Sequence, residues 1–422
     1  MPGTKICVVG AGSTYTPELV EGLITNADTL DISELWLMDI DPYRLHIVGG
    51  LTQRMVGAAG GPFDVAITAD RKAALADADF VITQIRVGGM KARILDERIP
   101  VEFDVIGQET TGPGGFAKAL RTVPKMLDIA AEMLEVAPEA WLINFTNPAG
   151  LITEAVHTYR THRVIGLCNS PIGLQRDLAE AFEALPDEVE LDYVGLNHLS
   201  FARRVLVRGR DVTEQALGLM AARARPREAE YMQALGLIPS GYLRYYYAHD
   251  EALREMKASA LSRGEAVAQI EAELIREYQD PNLKTKPARL SQRGGAHYSD
   301  VAVEVMKAVH HDTRQRHIVN VLNAASTDDL PHDAVVEVPA SLGAEGPLAK
   351  ATGRLPAAVR GLVQAVKAYE QLAVKAAAEG DRTAALHALI AHPLVPSVRV
   401  ARQLLERLLA AHKEHLPQFF PS

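Results

Sequence analysis

Residues 166–171 read GLCNSP and residues 195–200 read GLNHLS. Each stretch follows an apolar run, and each sets one reactive side chain, Cys168 or His198, beside an asparagine. A thiol and an imidazole can act as nucleophile and base, or as two ligands of a transition metal. Softness alone favours zinc or iron for such a pair. The structural reading is plainer: a buried free cysteine is usually a small hydrophobe, and a single histidine usually packs. Cys7, the other cysteine of the chain, fits that plainer reading, lying inside the apolar run KICVV.

A second chemical stretch opens the chain. In KICVVGAGSTYTPELVEGLI a β-branched run leads through glycines into an amphipathic segment, the pattern of strand, turn and helix. Gly10 permits the tight turn and Gly12 lets backbone approach a pyrophosphate, with Ser13 and Thr14 leading into the helix. Tyr15 stands where the dinucleotide fingerprint has its third glycine, a loss that bears on helix packing more than on phosphate contact. Asp39 ends the second strand, where a carboxylate binds a ribose and repels a 2′-phosphate, so the site reads as NAD rather than NADP. Helix capping is the alternative for Asp39, and Asp41 could do that equally well. Further on, Asn147-Pro148 in INFTNPAG resembles the TNP segment of lactate and malate dehydrogenases, or is simply a turn after a strand.

These residues need a scaffold. Strand-like runs at SELWLMDID, FDVAITAD, DFVITQI, EAWLINF and HRVIGL alternate with helical stretches over residues 1–170. That alternation predicts an α/β fold with a Rossmann-like, doubly wound parallel sheet as NAD-binding domain. Residues 171–422 are expected to form a mixed α+β domain for substrate, metal and oligomer contacts. There, VELDYVGLNHLSFARRVLVRG suggests antiparallel strands, 214–278 reads as helical with a break at LIPSGY, and DVAVEVMKAVHHD and 356–413 read as long helices.

Composition sets the outer limits. With 48 % apolar residues the chain builds a core without cross-links. A net charge of −9 argues against nucleic acid or an anionic membrane as partner. No apolar run approaches a membrane span and the N-terminus lacks a signal-peptide layout, so a cytoplasmic location with reduced thiols is expected.

Seven motifs occur in one order and spacing: GAGSTYTPEL, QIRVGGMKARILDE, GQETTGPGG, NFTNPAG, CNSPIG, GLNHL and YLRYYY. Together they closely resemble family 4 of the glycoside hydrolases, NAD- and metal-dependent enzymes of the lactate/malate dehydrogenase structural clan. The resemblance thins beyond about residue 330. It implies that Cys168 and His198 are the protein ligands of a divalent metal, usually Mn2+ in this family, with sugar hydroxyls and water completing the shell. Asparagine after the cysteine, here Asn169, looks like the 6-phospho-β-glycosidases; aspartate marks phospho-α-glucosidases, and histidine marks enzymes of unphosphorylated substrates. Ser170 departs from the valine or isoleucine common in the β group.

The same resemblance makes Tyr242, the first tyrosine of YLRYYY, the base. Tyrosine's reference pKa of about 10 must then be lowered by positive charge, from the metal or neighbouring arginines. Arg93, Asn147 and Arg263 match positions that contact the sugar or its phosphate. Asn169 joins them, and Glu109 in GQETTGPGG is a further candidate for a sugar hydroxyl, against the plain reading of a glycine-rich turn. No residue stands out as donor of a proton to the leaving group. The implied reaction is hydrolysis of 6-phospho-β-glucosides such as cellobiose 6-phosphate by oxidation at C3, deprotonation at C2, elimination, water addition and re-reduction. A homodimer or homotetramer is expected. Two other readings stay open on the residues alone: an NAD-dependent dehydrogenase of 2-hydroxy acids or sugars, and a cofactor-bound sugar-phosphate sensor.

Overall fold

The computed structural model describes residues 3–293 and 298–420. Its first half winds six short strands, β1 (Thr4–Val9), β2 (Ile32–Met38), β3 (Asp64–Thr68), β4 (Phe80–Thr83), β5 (Trp141–Asn144) and β6 (Val164–Gly166). Between and after them run α1 (Thr16–Thr25), α2 (Pro42–Ala58), α3 (Arg71–Leu75), α4 (Gly89–Val101), α5 (Gly112–Val136), α6 (Ala149–Tyr159) and α7 (Asn169–Ala181). The six strands are parallel in the order β3-β2-β1-β4-β5-β6, the doubly wound order anticipated from the alternating pattern. Strands β4, β5 and β6 are buried along their whole length, which is why they read as continuous apolar runs.

Beyond α7 the chain forms an antiparallel sheet of β7 (Val189–Leu196), β8 (Leu199–Val207), β9 (Arg210–Asp211) and β10 (Ile238–Pro239). Asn197 and His198 are the two-residue turn between β7 and β8, with His198 in the left-handed region at φ 65°. Helices α8 (Thr213–Arg223), α9 (Pro226–Leu235), α10 (Arg244–Tyr247), α11 (His249–Ala258) and α12 (Arg263–Tyr278) follow, broken near Pro239 as the sequence suggests. The chain then runs through α13 (Tyr298–His310), β11 (Arg316–Leu322), β12 (Val335–Gly343) and β13 (Gly346–Ala349) to α14 (Ala357–Glu379), α15 (Arg382–Ala391) and α16 (Val398–Ala411). None of these helices is long and apolar enough to cross a membrane, among the described residues.

Three strands were not anticipated. β11 pairs antiparallel with β6, and β12 and β13 continue outward, making one sheet of nine strands. The sheet therefore runs across residue 170, where the sequence reading divides the chain. Asn320 in β11 and Glu337 in β12 are fully buried polar residues inside otherwise apolar strands. They interrupt the apolar pattern by which such strands are recognised.

Behind the carboxyl edge of the parallel sheet, α4 and α5 are joined by charge. Arg121 donates to both oxygens of Asp96 at 2.8 and 2.7 Å, and both side chains are buried. His412, following α16, brings Nε2 to 3.0 Å from Asp96. Removing the carboxylate strands a guanidinium in the interior. Asp96→Ala is expected to lower unfolding free energy by about 3–5 kcal/mol, read from the midpoint of a urea titration. A loss below about 1 kcal/mol, the scale of a surface pair, would show the pair to be dispensable.

Candidate active site

β1 and β4 are neighbours whose connections lead away in opposite directions, and the gap over their carboxyl ends is where open α/β sheets hold ligands. A cleft of about 740 Å³ lies there. Its walls carry Gly10, Gly12, Ser13 and Asp39, and also Arg93, Glu109, Asn147, Asn169 and Tyr242. Four of the residues singled out in the sequence lie outside those walls. Thr14 is fully buried, Cys168 and His198 are buried, and Arg263 is exposed at the first position of α12.

The glycine turn is shaped for a close backbone approach. Gly10 has φ 93°, and a Cβ there would stand 3.0 Å from the backbone of Gln84. The N–H of Gly12 donates to Asp39 Oδ2 at 2.8 Å, and a Cβ on Gly12 would meet that oxygen at 2.9 Å. Helix capping falls to Asp41, which accepts from the N–H groups of Tyr43 and Arg44. Asp39 is thus left at the tip of β2, held by Gly12 and by the N–H of Asp41, with its carboxylate on the cleft. The hydroxyl of Thr14 is buried without a partner among the described residues. A cradle closed to any side chain, with a carboxylate at its rim, fits a dinucleotide.

Cys168 and His198 come from different sheets and meet through one residue. Asn197, which precedes His198, is among the groups that lower the Cys168 thiol against its burial. Cys168 caps the N-terminus of α7, and its Sγ also accepts from the N–H of Ser170 at 3.5 Å. Burial pushes the thiol up to about 12, with the charge of Glu337 adding to the effect. His198 is lowered to about 3 by burial and by Lys118, and so is neutral. Its Nδ1 engages Thr110 Oγ1 at 3.0 Å, which leaves Nε2 for a ligand. Among the described residues no three His, Cys, Asp or Glu side chains gather as a metal cage. Two donors of different softness, one needing a cation to ionise it, fit a divalent metal whose remaining positions stay open.

Tyr242 lies flat on His198, with ring centroids 3.6 Å apart and planes 10° from parallel. Burial raises its hydroxyl above the ordinary tyrosine value, the charges of Cys168 and Glu109 raise it further, and a hydrogen bond with Thr110 opposes them. The expected help from neighbouring arginines is not available, because Glu109 absorbs it. Arg86 and Arg93 both pair with Glu109, the latter at 3.0 Å, and Lys118 joins at 2.9 Å. Three cations hold this buried carboxyl well below its usual range, while burial drops Lys118 to about 7. Glu109 is therefore a charge hub, with its oxygens turned to cations rather than free for a sugar.

The glycines after Glu109 explain its position. A Cβ on Gly114 would lie 2.2 Å from the carbonyl oxygen of Gln108, and one on Gly115 would lie 2.5 Å from the carbonyl carbon of Thr110. Only glycine lets α5 press onto the loop that carries Glu109 and Thr110. Arg93 spans two carboxylates, donating from Nε to Glu97 at 2.8 Å. Glu97 in turn accepts from the N–H of Gly264 at 2.6 Å, which docks the start of α12 there, while the Arg263 side chain donates to the carbonyl oxygens of Gln292 and Arg293. Sequence reasoning missed Arg86, Lys118 and Thr110. Arg86 had a signal, falling within QIRVGG; Lys118 and Thr110 look like ordinary helix and turn residues.

The model described as "Family 4 glycosyl hydrolase" matches residues 5–184, and "Family 4 glycosyl hydrolase C-terminal domain" matches residues 193–395. A Bacillus subtilis protein named "Probable 6-phospho-beta-glucosidase" is 46 % identical, over 99 % of this chain and 98 % of its own. The solved 6-phospho-beta glucosidase from Thermotoga maritima, described with manganese, NAD+ and glucose-6-phosphate, superposes with a TM-score of 0.93 at 37 % identity, covering 98 % of this chain and 99 % of its own. Malate dehydrogenase from Plasmodium falciparum, at 12 % identity and a TM-score of 0.54 over 92 % of this chain and 99 % of its own, shares the fold alone.

Two variants test the metal pair. Cys168→Ser should weaken Mn2+ binding at least tenfold in an electron paramagnetic resonance titration, with NAD+ affinity by calorimetry unchanged. Parental Mn2+ affinity would remove Cys168 from the ligand set. Gly115→Ala should overpack the loop at Thr110 and cost about 1–3 kcal/mol of stability, measured by chemical denaturation, with looser Mn2+ binding through His198. Unchanged stability would mean that the loop yields freely.

Proposed function

The chain belongs to family 4 of the glycosyl hydrolases, and from that premise we propose that it hydrolyses 6-phospho-β-glucosides with NAD+ and a divalent metal, Mn2+ foremost. One observation carries the reading: a single cleft joins a dinucleotide cradle to a tyrosine stacked on one of two candidate metal ligands. A dehydrogenase of hydroxy acids has no need of that second half. Asn169 in CNSP and the similarity to a relative named for 6-phospho-β-glucosides support the β-linked substrate over the α-linked one.

When bound, NAD+ supplies hydride exchange at the sugar's C3, and a divalent cation supplies Lewis-acid polarisation of the adjacent oxygens. The protein does the rest. Gly10, Gly12 and Ser13 bind the pyrophosphate, and Asp39 binds the adenosine ribose. Cys168, as thiolate, and neutral His198 hold the cation. Tyr242, as phenolate, takes the proton from C2, and losing its own proton first needs the cation's charge nearby because the surrounding groups raise its hydroxyl. Arg93 and Arg263 bind the 6-phosphate, as planar guanidiniums suit an oxyanion. Asn147, whose Oδ1 is buried without a partner among the described residues, orients a sugar hydroxyl, and Asn169 lies against the glycosidic end. Two carboxylates flanking the scissile bond are not required by this route. A cytoplasmic home and a homodimer or homotetramer belong to the same proposal.

Incubation with p-nitrophenyl β-glucoside 6-phosphate, NAD+ and Mn2+ should release nitrophenol without net NADH. Stoichiometric NADH from an intact glycoside would instead establish a dehydrogenase. Turnover in D₂O should place deuterium at C2 of the sugar phosphate. Tyr242→Phe should slow turnover by about 10²–10⁴-fold while NAD+ and Mn2+ affinities persist. Full rate with the label present would pass the role to another base, with Tyr245 the next candidate. Arg263→Ala should weaken phosphorylated substrates far more than unphosphorylated ones; equal losses would make Arg263 structural.

A further inference from the structure

β12, one of the strands hidden from the sequence, carries Glu337 into the interior at 1 % exposure. No Lys, Arg or His pairs with it among the described residues. Burial raises its carboxyl above the usual range, and neutral donors meet it and oppose that rise. Oε1 accepts from Asn197 Nδ2 at 3.1 Å and from Asn320 Nδ2 at 3.2 Å, and Oε2 accepts from Ser200 Oγ at 2.8 Å. Ser200 is completed by the Tyr193 hydroxyl at 2.7 Å.

The placement is specific. Asn197 and Ser200 stand one residue before and two after His198, so the two oxygens of one carboxylate hold both sides of the turn that presents the imidazole. That turn keeps His198 in a left-handed conformation, which a non-glycine residue adopts only where its surroundings hold it. Asn197 is also held from its other end. Its Oδ1 accepts from the N–H of Gly150 at 3.4 Å, so the amide is fixed at both ends. One buried carboxyl group thus orients Asn197 and anchors the turn that carries His198.

We propose that Glu337 is a positioning residue of the metal site of Cys168 and His198: through Asn197 and Ser200 it holds the turn that presents His198, and its charge, once ionised, would be balanced by the dication. The inference rests on the assignment of those two residues as metal ligands. Outer groups that orient ligands typically contribute 10–100-fold in metal affinity. An anion with no cation of its own in a low-dielectric interior adds attraction for a dication beyond simple orientation. The same charge gives a buried carboxylate a reason to occur where an apolar side chain would pack with less penalty.

Two substitutions separate reach from charge. Glu337→Gln keeps the length and, with the Ser200 hydroxyl reversed, every hydrogen bond, but removes the charge. Glu337→Asp keeps the charge and shortens the reach. Mn2+ affinity is measured by electron paramagnetic resonance on each full-length protein with saturating NAD+, alongside NAD+ affinity by calorimetry and the melting temperature of the metal-free protein. At least one variant should bind Mn2+ tenfold or more weakly, with NAD+ affinity and metal-free melting of the Gln variant unmoved. Loss in the Asp variant alone assigns the effect to reach, and loss in the Gln variant alone assigns it to charge. Parental Mn2+ affinity within twofold in both overturns the proposal. Should the Asp variant not fold, the Gln variant decides. Cys168→Ser, run in parallel, separates the premise from the inference: if it binds Mn2+ as the parent does, the metal assignment itself fails and this role falls with it.

Discussion

The reversal of strand order between β1 and β4 is the constraint from which the site follows. Right-handed crossovers leaving the two strands in opposite directions send their helices to opposite faces of the sheet. No helix then covers the gap between their carboxyl ends, and the backbone at Gly10 and Gln84 stays accessible. The glycine turn, Asp39, Gln84 and Asn147 all open onto that gap because each follows a strand of the same sheet. A cofactor site of this kind is a consequence of topology before it is a consequence of any side chain.

The second half of the site depends on burying polar groups in a dry place without losing their function. Glu109 is driven into the interior only because Arg86, Arg93 and Lys118 surround it. That concentration neutralises the arginines and leaves Tyr242 without a compensating cation of the protein's own. Cys168 stays a thiol and His198 stays neutral for the same reason, desolvation. A dication entering between them would find one neutral ligand ready, one that ionises on binding, and a tyrosine against the imidazole.

Elements with strong local grammar were legible. The strand–turn–helix at KICVVGAGSTYTPEL, the acidic end of β2 and the cysteine after β6 each follow from a run of apolar residues ended by polar or glycine residues. The hairpin around His198 and the helices of the C-terminal part were visible in their periods. Competition between Asp39 and Asp41 for the helix cap was visible but undecided, and the positions of two backbone N–H groups decided it for Asp41. The likeness of Asn147-Pro148 to dehydrogenases turned out to be one of fold.

The sequence by itself therefore determined the repeating βα order and the cradle, because short-range sterics and apolar periodicity act within a few residues of chain; Cys168 and His198 stood out as ligands only through the family resemblance. Tertiary structure alone decided that β11–β13 extend the first sheet, that the start of α12 docks on Glu97, and that Glu109 turns to cations. It also placed Glu337 behind His198, 139 positions earlier in the chain. Those outcomes depend on which groups must share a buried volume, and the pairing of a hidden charge with its donors is settled only when distant segments close around it.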